Sequence, residues 1–246
     1  MAWFHEDNNS TLNFMVIGHT CSGYGLVQSA LNAHSRIVCH GDLLHDNVKI
    51  RKCEHEKYFG DSGKLPDWFI NTHISVEQYL NNKIFDNALH DELAIGVKIN
   101  YQHFMDYDIW EYTNLKYRKG DFCIVHVTRN PVACFFSHKR SEKKSKAIFI
   151  DPIELTSFVR FQEAVQKKVN GLSRDRVVIP FYEFVLNYKK VMTALYDYLE
   201  VPFENCKPLN GKVHKSEPFS RISNIAELRV VLPPDVLAYL NAPDIF

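Results

Sequence analysis

The sequence lacks the features that mark a strongly charged, membrane-spanning or disulfide-rich protein. Its 29 acidic and 29 basic residues give a formal net charge of zero, so no global field attracts nucleic acid or an anionic membrane. Its six cysteines are dispersed and form no CxxC pair, a pattern that favours reduced thiols. The polar start MAWFHEDNNSTLN is unlike a signal peptide, and no apolar run approaches the length of a membrane span. These absences predict a cytoplasmic protein that binds neither nucleic acid nor membrane and builds any anion site locally.

Internal repeats and low-complexity linkers are absent as well. A chain of 246 residues that is 46% hydrophobic can bury one large core, which favours a single domain over residues 1–246. Cys53 and His55 lack a second ligand pair at zinc spacing, so no metal site is predicted.

Short apolar runs alternate with helical patterns along the chain. Strands are predicted over 14–18, 37–39, 93–99, 122–127 and 177–179, and helices over 25–33, 152–170 and 188–199. The second of these helices should begin after Asp151, a good N-cap, with Pro152 in the first helical position. Strands separated by helices favour an α/β fold whose central parallel sheet is flanked by helices. The polar segment 46–92 predicts loops and short helices over the sheet edge.

The segment GHTCSG, from Gly18 to Gly23, has the spacing of a phosphate-binding loop between a strand and a helix. A nucleotide triphosphatase needs a lysine and a serine or threonine next, but Tyr24 and Gly25 follow. Because the hydroxyl that binds magnesium is missing, magnesium-dependent phosphoryl transfer is disfavoured. The segment binds an anion, or its glycines only make the bend between strand and helix.

A second candidate anion site begins where the strand FCIVHV ends in TRNP. Arg129 at the end of the strand and Ser137 on the next helix can converge on one phosphate, as a guanidinium fork and a hydroxyl donor. The alternative for Arg129 is a surface salt bridge.

Taken in order, these segments resemble the sulfotransferases that use 3′-phosphoadenosine-5′-phosphosulfate (PAPS). The matching segments are VIGHTCSGYGLVQSALNAH, RIVCHGDLLH, IGVKINYQHF, VTRNPVACFFSH, VIPFYEFVLNYKKVMTALYDYLEVPF and FSRISNIAEL, which together span most of the chain except 46–92. The resemblance implies a P-loop-like sulfotransferase fold. It also implies transfer of a sulfuryl group from PAPS, without a metal, to a hydroxyl or amine of a small molecule.

The resemblance also assigns donor-binding residues. They are Thr20, Cys21, Ser22, Gly23, Tyr24 and Gly25 for the 5′-phosphosulfate, Arg129 and Ser137 for the 3′-phosphate, Tyr182 near the adenine, and Lys212 and Lys215, which close over the 3′-phosphate or lie on the surface. The family usually has an arginine or lysine before the Ser-Gly pair, where this chain has Cys21. Lys98 is the candidate replacement for that charge, or it is an ordinary lysine at a strand end.

Sulfuryl transfer needs a base that takes the proton of the acceptor. Asp42, in the turn after the second strand, is the first candidate, and a cap or turn role is its alternative. His40 beside it and His103 after the third strand are further candidates.

A natural product is the expected acceptor. Asp106, Asp108 and Glu111 beside Trp110 would suit a cationic molecule such as a guanidinium alkaloid toxin, if they line the acceptor pocket. Two alternatives remain open at this point: a non-catalytic nucleotide-binding module, and a nucleotide-dependent kinase. A homodimer is compatible with the sequence.

Overall fold

The chain forms a five-stranded, entirely parallel sheet flanked by helices, which confirms the predicted α/β class. The computed structural model describes residues 11–41, 78, 80–85, 92–106, 109–118, 122–142, 147–172, 176–207 and 221–242. The strands are β1 (Leu12–Gly18), β2 (Ile37–His40), β3 (Ala94–Asn100), β4 (Cys123–Thr128) and β5 (Arg176–Pro180). Their order in the sheet is β2-β3-β1-β4-β5.

Helices follow or precede each strand in the described part of the chain. They are α1 (Tyr24–Leu31), α2 (Tyr101–Asp106), α3 (Ile109–Arg118), α4 (Pro131–Glu142), α5 (Pro152–Gly171), α6 (Phe181–Leu186), α7 (Tyr188–Tyr198), α8 (Ile225–Val231) and α9 (Pro234–Asn241), with a π-helix over Leu80–Phe85. The predicted start of α5 is confirmed, because Asp151 Oδ1 accepts a hydrogen bond from the Ile153 amide at 2.9 Å. None of the helices described is long and apolar enough to cross a membrane.

Alternate residues of β1 cover opposite faces of the sheet, and the four residues from Phe14 to Ile17 are fully buried. Met15 and Ile17 pack on one face in a cluster with residues of α2, α3 and α5. Phe14 and Val16 pack on the other face in a cluster with residues of α1 and α7. Because both faces of the sheet are covered, the strands read as mostly apolar runs in the sequence.

The carboxyl ends of the strands meet at one edge of the sheet, and this edge positions the site. Gly18 at the end of β1 pairs with Asn100 at the end of β3, and Thr128 of β4 pairs with Pro180 of β5. In open parallel sheets, ligands bind in the crevice beyond these ends. The residues that follow β1, β3, β4 and β5 therefore face a common crevice.

A neutral histidine is buried beneath this crevice. The Tyr101 hydroxyl hydrogen-bonds to Nε2 of His126, and no hydrogen-bond partner for the buried Nδ1 is found among the described residues. Burial, followed by the nearby charge of Arg176, lowers the pKa of His126 to about 4.

We expect His126 to make the fold acid-sensitive. Below pH 6.5, the ordinary pKa of histidine, His126 is protonated in the unfolded chain but stays neutral in the folded chain. The free energy of unfolding therefore falls as the pH decreases from 6.5 to about 4. The loss amounts to at most roughly 3 kcal/mol. Urea unfolding at several pH values should show a smaller loss for His126→Gln, which keeps an acceptor for Tyr101 but does not titrate. Equal losses in the parent and the variant would contradict this account.

Candidate functional site

The glycine segment turns sharply between β1 and α1, as its spacing predicts. Gly23, the N-cap of α1, has a φ of 91°, in the left-handed region that favours glycine. A Cβ at Gly23 would overlap the Phe181 ring, and one at Gly18 would lie 2.8 Å from Ser22 Oγ. Cys21 also has a left-handed φ of 68°, which is strained for a residue with a side chain. The segment from Gly18 to Gly23, called the glycine loop below, is therefore tightly specified.

The glycine loop presents hydrogen-bond donors at the amino end of a helix. The first N–H groups of any α-helix lack partners within the helix, and here they belong to Tyr24 and Gly25. Ser22 Oγ is buried, and none of the described residues hydrogen-bonds to it. Thr20 Oγ1 accepts a hydrogen bond from Asn100 Nδ2 at 2.6 Å, which ties the loop to the end of β3. A buried hydroxyl and a helix amino end in one turn can hold an oxyanion.

Arg129 lies against the glycine loop. Its Nη1 donates a hydrogen bond to the Cys21 carbonyl at 2.9 Å, and its guanidinium carbon lies 4.8 Å from the centroid of the Phe181 ring. Arg129 and Phe181 directly follow paired ends of β4 and β5, which explains why they meet. Phe181 thus supports both Gly23 and Arg129.

Three arginines form a cluster near Cys21: Arg129 and Arg140 lie close enough to act on its thiol, and Arg221 lies close to Arg140. Burial raises the pKa of the Cys21 thiol, whereas a hydrogen bond with Ser137 and the charges of Arg129 and Arg140 oppose that rise. The pKa of Arg140 is lowered by partial burial and then by the positive charges of Arg129 and Arg221. Three guanidinium groups that repel one another beside a serine hydroxyl favour a multiply charged anion.

Lys98 also lies beside the glycine loop. Its ammonium group is 4.8 Å from the centroid of the Tyr24 ring, at the first residue of α1. Tyr24 itself is buried, so its role is to pack the start of the helix. Gly25 lies in the first turn of α1, and a Cβ there would meet no atom within 4 Å.

Tyr182 lies on α6, directly after Phe181, with 43% of its surface exposed. It is therefore accessible near the Arg129 side of the glycine loop. Lys212 and Lys215 lie outside the described residues, so their role stays a prediction.

A cavity of about 400 Å³ opens beside the glycine loop. Its lining comprises His19, Thr20, Asn100, Gln102, Phe135, His138, Glu154, Ser157, Phe158 and Phe161. Glu154 pairs with Lys139 at 2.5 Å, and Lys139 lies over the Phe135 ring. The cavity is thus partly aromatic, and its polar groups include two histidines. A larger hollow of about 830 Å³ is lined by residues of α6 and α7, and none of the candidate site residues lines it.

His19 connects the cavity with the glycine loop. Its Nδ1 lies 2.6 Å from the Thr20 carbonyl oxygen, and its backbone carbonyl accepts a hydrogen bond from Ser22 N at 2.9 Å. Burial lowers the pKa of His19, the Thr20 carbonyl opposes that effect, and His138 lowers the pKa further. The imidazole is therefore neutral at pH 7.

The structure does not bring His40 or His103 into the cavity. His40 is buried at the end of β2 and His103 is buried on α2, and neither lines the cavity. Asp42 lies outside the described residues and stays a prediction. Trp110 packs edge-on against Phe104 and does not line the cavity. Glu111 is exposed, and Asp108 and the Asp106 side chain lie outside the described part.

Three residues near the candidate site were not singled out from the sequence: His19, Phe181 and Arg221. His19 lies between Gly18 and Gly23, where the glycine spacing predicts an anion site but gives no role to the histidine. Phe181 and Arg129 follow neighbouring strands, a relation that becomes visible only once the strand order is known. Arg140 and Arg221 come from separate segments, and nothing local marks their meeting.

Comparisons with known proteins identify the family. A model of the sulfotransferase family matches residues 13–205. The sulfotransferase domain of the Synechococcus PCC 7002 olefin synthase is similar in structure, with a TM-score of 0.52 and 14% identity, over 99% of this chain and 92% of that one. A sulfotransferase from Alicyclobacillus acidocaldarius gives a TM-score of 0.53 and 16% identity, over 96% and 98% of the two chains.

The sulfotransferase domain from the curacin biosynthetic pathway is similar as well. Its TM-score is 0.51 and its identity 15%, over 86% of this chain and 82% of that one. Among curated protein sequences, none matches this chain significantly. At such low identities, the similar structures show a shared fold.

Proposed function

The chain belongs to the sulfotransferase family, and we propose that it transfers a sulfuryl group from PAPS to a hydroxyl or amine of a small-molecule natural product. The observation that carries the donor assignment is the meeting of the glycine loop with Arg129, Ser137 and Arg140, with Arg221 near Arg140. One anion group occupies the loop, and the second occupies the arginine cluster. A nucleotide with phosphates at its 5′ and 3′ positions can fill both the glycine loop and the arginine cluster.

The glycine loop fits the 5′-phosphosulfate. The buried Ser22 hydroxyl and the first N–H groups of α1 supply neutral donors to its oxygens. Lys98, beside Tyr24, supplies the positive charge that the leaving phosphate needs when its bond to sulfur breaks. Lys98 thus replaces the arginine or lysine that the family usually has at the position of Cys21.

The arginine cluster fits the 3′-phosphate. A doubly charged phosphate would relieve the mutual repulsion of three guanidinium groups, and the Ser137 hydroxyl adds a donor. Tyr182, exposed on α6 beside this cluster, is the proposed neighbour of the adenine.

The cavity beside the loop is the proposed acceptor site. Its phenylalanine rings suit an apolar or aromatic body, while His19, Gln102 and Asn100 suit a polar reacting end. Two of the similar structures are domains of an olefin synthase and of the curacin pathway, which supports an acceptor that is a biosynthetic product.

We expect donor binding and turnover to be indifferent to chelators. The residues after Gly23 offer no serine or threonine hydroxyl for magnesium, and a sulfuryl group does not need one. Calorimetry with PAP, the desulfated donor product, should give the same affinity with EDTA as with Mg²⁺. ADP, which lacks the 3′-phosphate, should bind less tightly under both conditions.

The same titration separates the rival functions. Tighter binding of Mg-ADP than of PAP, lost with EDTA, would indicate a kinase. Tight PAP binding without any turnover of PAPS would indicate a non-catalytic nucleotide-binding module.

A further inference from the structure

We propose that His19 is the general base that takes the proton from the acceptor hydroxyl; this inference rests on the proposed sulfuryl transfer. His19 is the one residue whose side chain lines the acceptor cavity while its own backbone carbonyl caps the glycine loop, among the contacts the structure describes. The reacting oxygen and the donor sulfur must meet between these two places.

The hydrogen bonds of the ring fix its tautomer. A carbonyl oxygen only accepts, so the contact between Nδ1 and the Thr20 carbonyl requires the proton on Nδ1. In the neutral ring Nε2 then carries the lone pair. A base must present a lone pair to the cavity, and this tautomer leaves Nε2 as the basic atom.

Packing holds the ring in one orientation. The Phe158 ring lies edge-on at 4.6 Å between centroids, and the Tyr101 ring lies edge-on at 6.0 Å. Tyr101 directly follows β3, whose last residue pairs with Gly18, so the two rings meet at adjacent strand ends. A rigid ring contributes more to catalysis than a mobile one, because less freedom is lost in the transition state.

Ionisable groups of neighbouring elements contact the ring or share its cavity. Tyr101 of α2 packs against the ring, His138 of α4 and Glu154 of α5 line the same cavity, and Lys139 of α4 pairs with Glu154. Lys139 pairs with Glu154, so the carboxylate charge is partly neutralised, and the nearby His138 lowers the pKa of His19. Burial also lowers the pKa of His19, so the ring is neutral at pH 7 and can accept a proton.

The step balances in atoms and charge. The acceptor O–H proton passes to Nε2 of His19 as the acceptor oxygen bonds to sulfur and the bond from sulfur to the 5′-phosphate oxygen breaks. PAP leaves with that electron pair, and the imidazolium later releases its proton to water.

Two substitutions separate the role of Nε2 as a base from the structural role of Nδ1. In His19→Asn, the side-chain amide can still donate to the Thr20 carbonyl from the position of Nδ1, but no atom replaces Nε2. In His19→Gln, a non-basic polar atom replaces Nε2. Both should lower kcat for transfer from PAPS to 2-naphthol by roughly 100-fold or more, with PAP affinity by calorimetry within about threefold of the parent.

The pH profile gives a readout that a structural role would not change. The parent should lose kcat/KM for 2-naphthol as the pH falls through the lowered pKa of His19, below 6.5. This loss of kcat/KM at low pH should be absent in His19→Asn and present in His138→Gln. A loss that persists in His19→Asn, or near-parental kcat in that variant, would overturn the proposal.

Asp42→Asn is the competing arm of the same experiment. If Asp42→Asn loses turnover about as strongly as expected for a base and His19→Asn does not, Asp42 is the base and the proposal for His19 fails. A parent that binds PAP but transfers no sulfuryl group to 2-naphthol contradicts the proposed function instead. Nitrogen NMR of the parent then still decides on His19, because an Nε2–H tautomer would exclude it as the base.

Discussion

Arg129→Ala is expected to weaken PAP binding by roughly 10- to 100-fold, which corresponds to about 1.5–3 kcal/mol for a lost hydrogen bond to a charged group. The guanidinium has two tasks in the structure. It donates to the Cys21 carbonyl, and it forms part of the cluster with Arg140 and Arg221. Loss of the first would loosen the glycine loop, and loss of the second would weaken contact with the 3′-phosphate.

Comparing two nucleotides separates these tasks. PAP and AMP differ only in the 3′-phosphate, so the ratio of their affinities reports the arginine cluster alone. Calorimetry should show that this ratio falls in Arg129→Ala and is unchanged in Arg229→Ala, a control for an arginine exposed on α8. A parental ratio in Arg129→Ala would mean that Arg129 does not contact the 3′-phosphate.

Gly23→Ala is expected to abolish detectable PAP binding and to lower the melting temperature. A left-handed conformation costs a residue with a Cβ roughly 1–2 kcal/mol. The added methyl group would also overlap Phe181, which must then move away from Arg129. A single carbon atom would therefore disturb the glycine loop and the support of the arginine cluster together.

Gly171→Ala is the matched control for this substitution. Gly171 lies at the end of α5, and a Cβ there would meet no atom within 4 Å. PAP affinity and melting temperature should both stay near the parental values in Gly171→Ala. Unchanged PAP affinity in Gly23→Ala would show that the glycine loop does not hold the donor.

Much of the fold could be predicted because buried parallel strands are marked locally. The runs around β1, β3 and β4 are mostly apolar, with Lys98 in β3 and His126 in β4 among the exceptions, since helices cover both faces of the sheet. The start of α5 could be predicted from Asp151 and Pro152, because capping depends only on neighbouring residues. Strand order could not be predicted, because it depends on contacts between distant segments.

The candidate site likewise contains residues that the local sequence marks and residues that only tertiary contacts bring in. The glycine loop, Arg129 and Ser137 could be proposed from the sequence because each directly follows a strand or lies on the next helix, and the structure brings all three together. Phe181 and Arg221 join them through tertiary contacts that leave no local signal. Acceptor recognition by the acidic residues near Trp110 stays a prediction, and the cavity beside the glycine loop is lined by residues of α4 and α5 that the sequence did not mark.

The measurement that tests the central claim most directly is transfer of labelled sulfuryl groups from PAPS to a mixed panel of phenols, alcohols and amines, with EDTA present throughout. We predict a labelled organic product whose formation releases one PAP for each sulfuryl group moved and is lost in Gly23→Ala. The contradicting result is a folded parent that binds PAP yet labels no acceptor, or one that labels acceptors only from ATP and only with Mg²⁺.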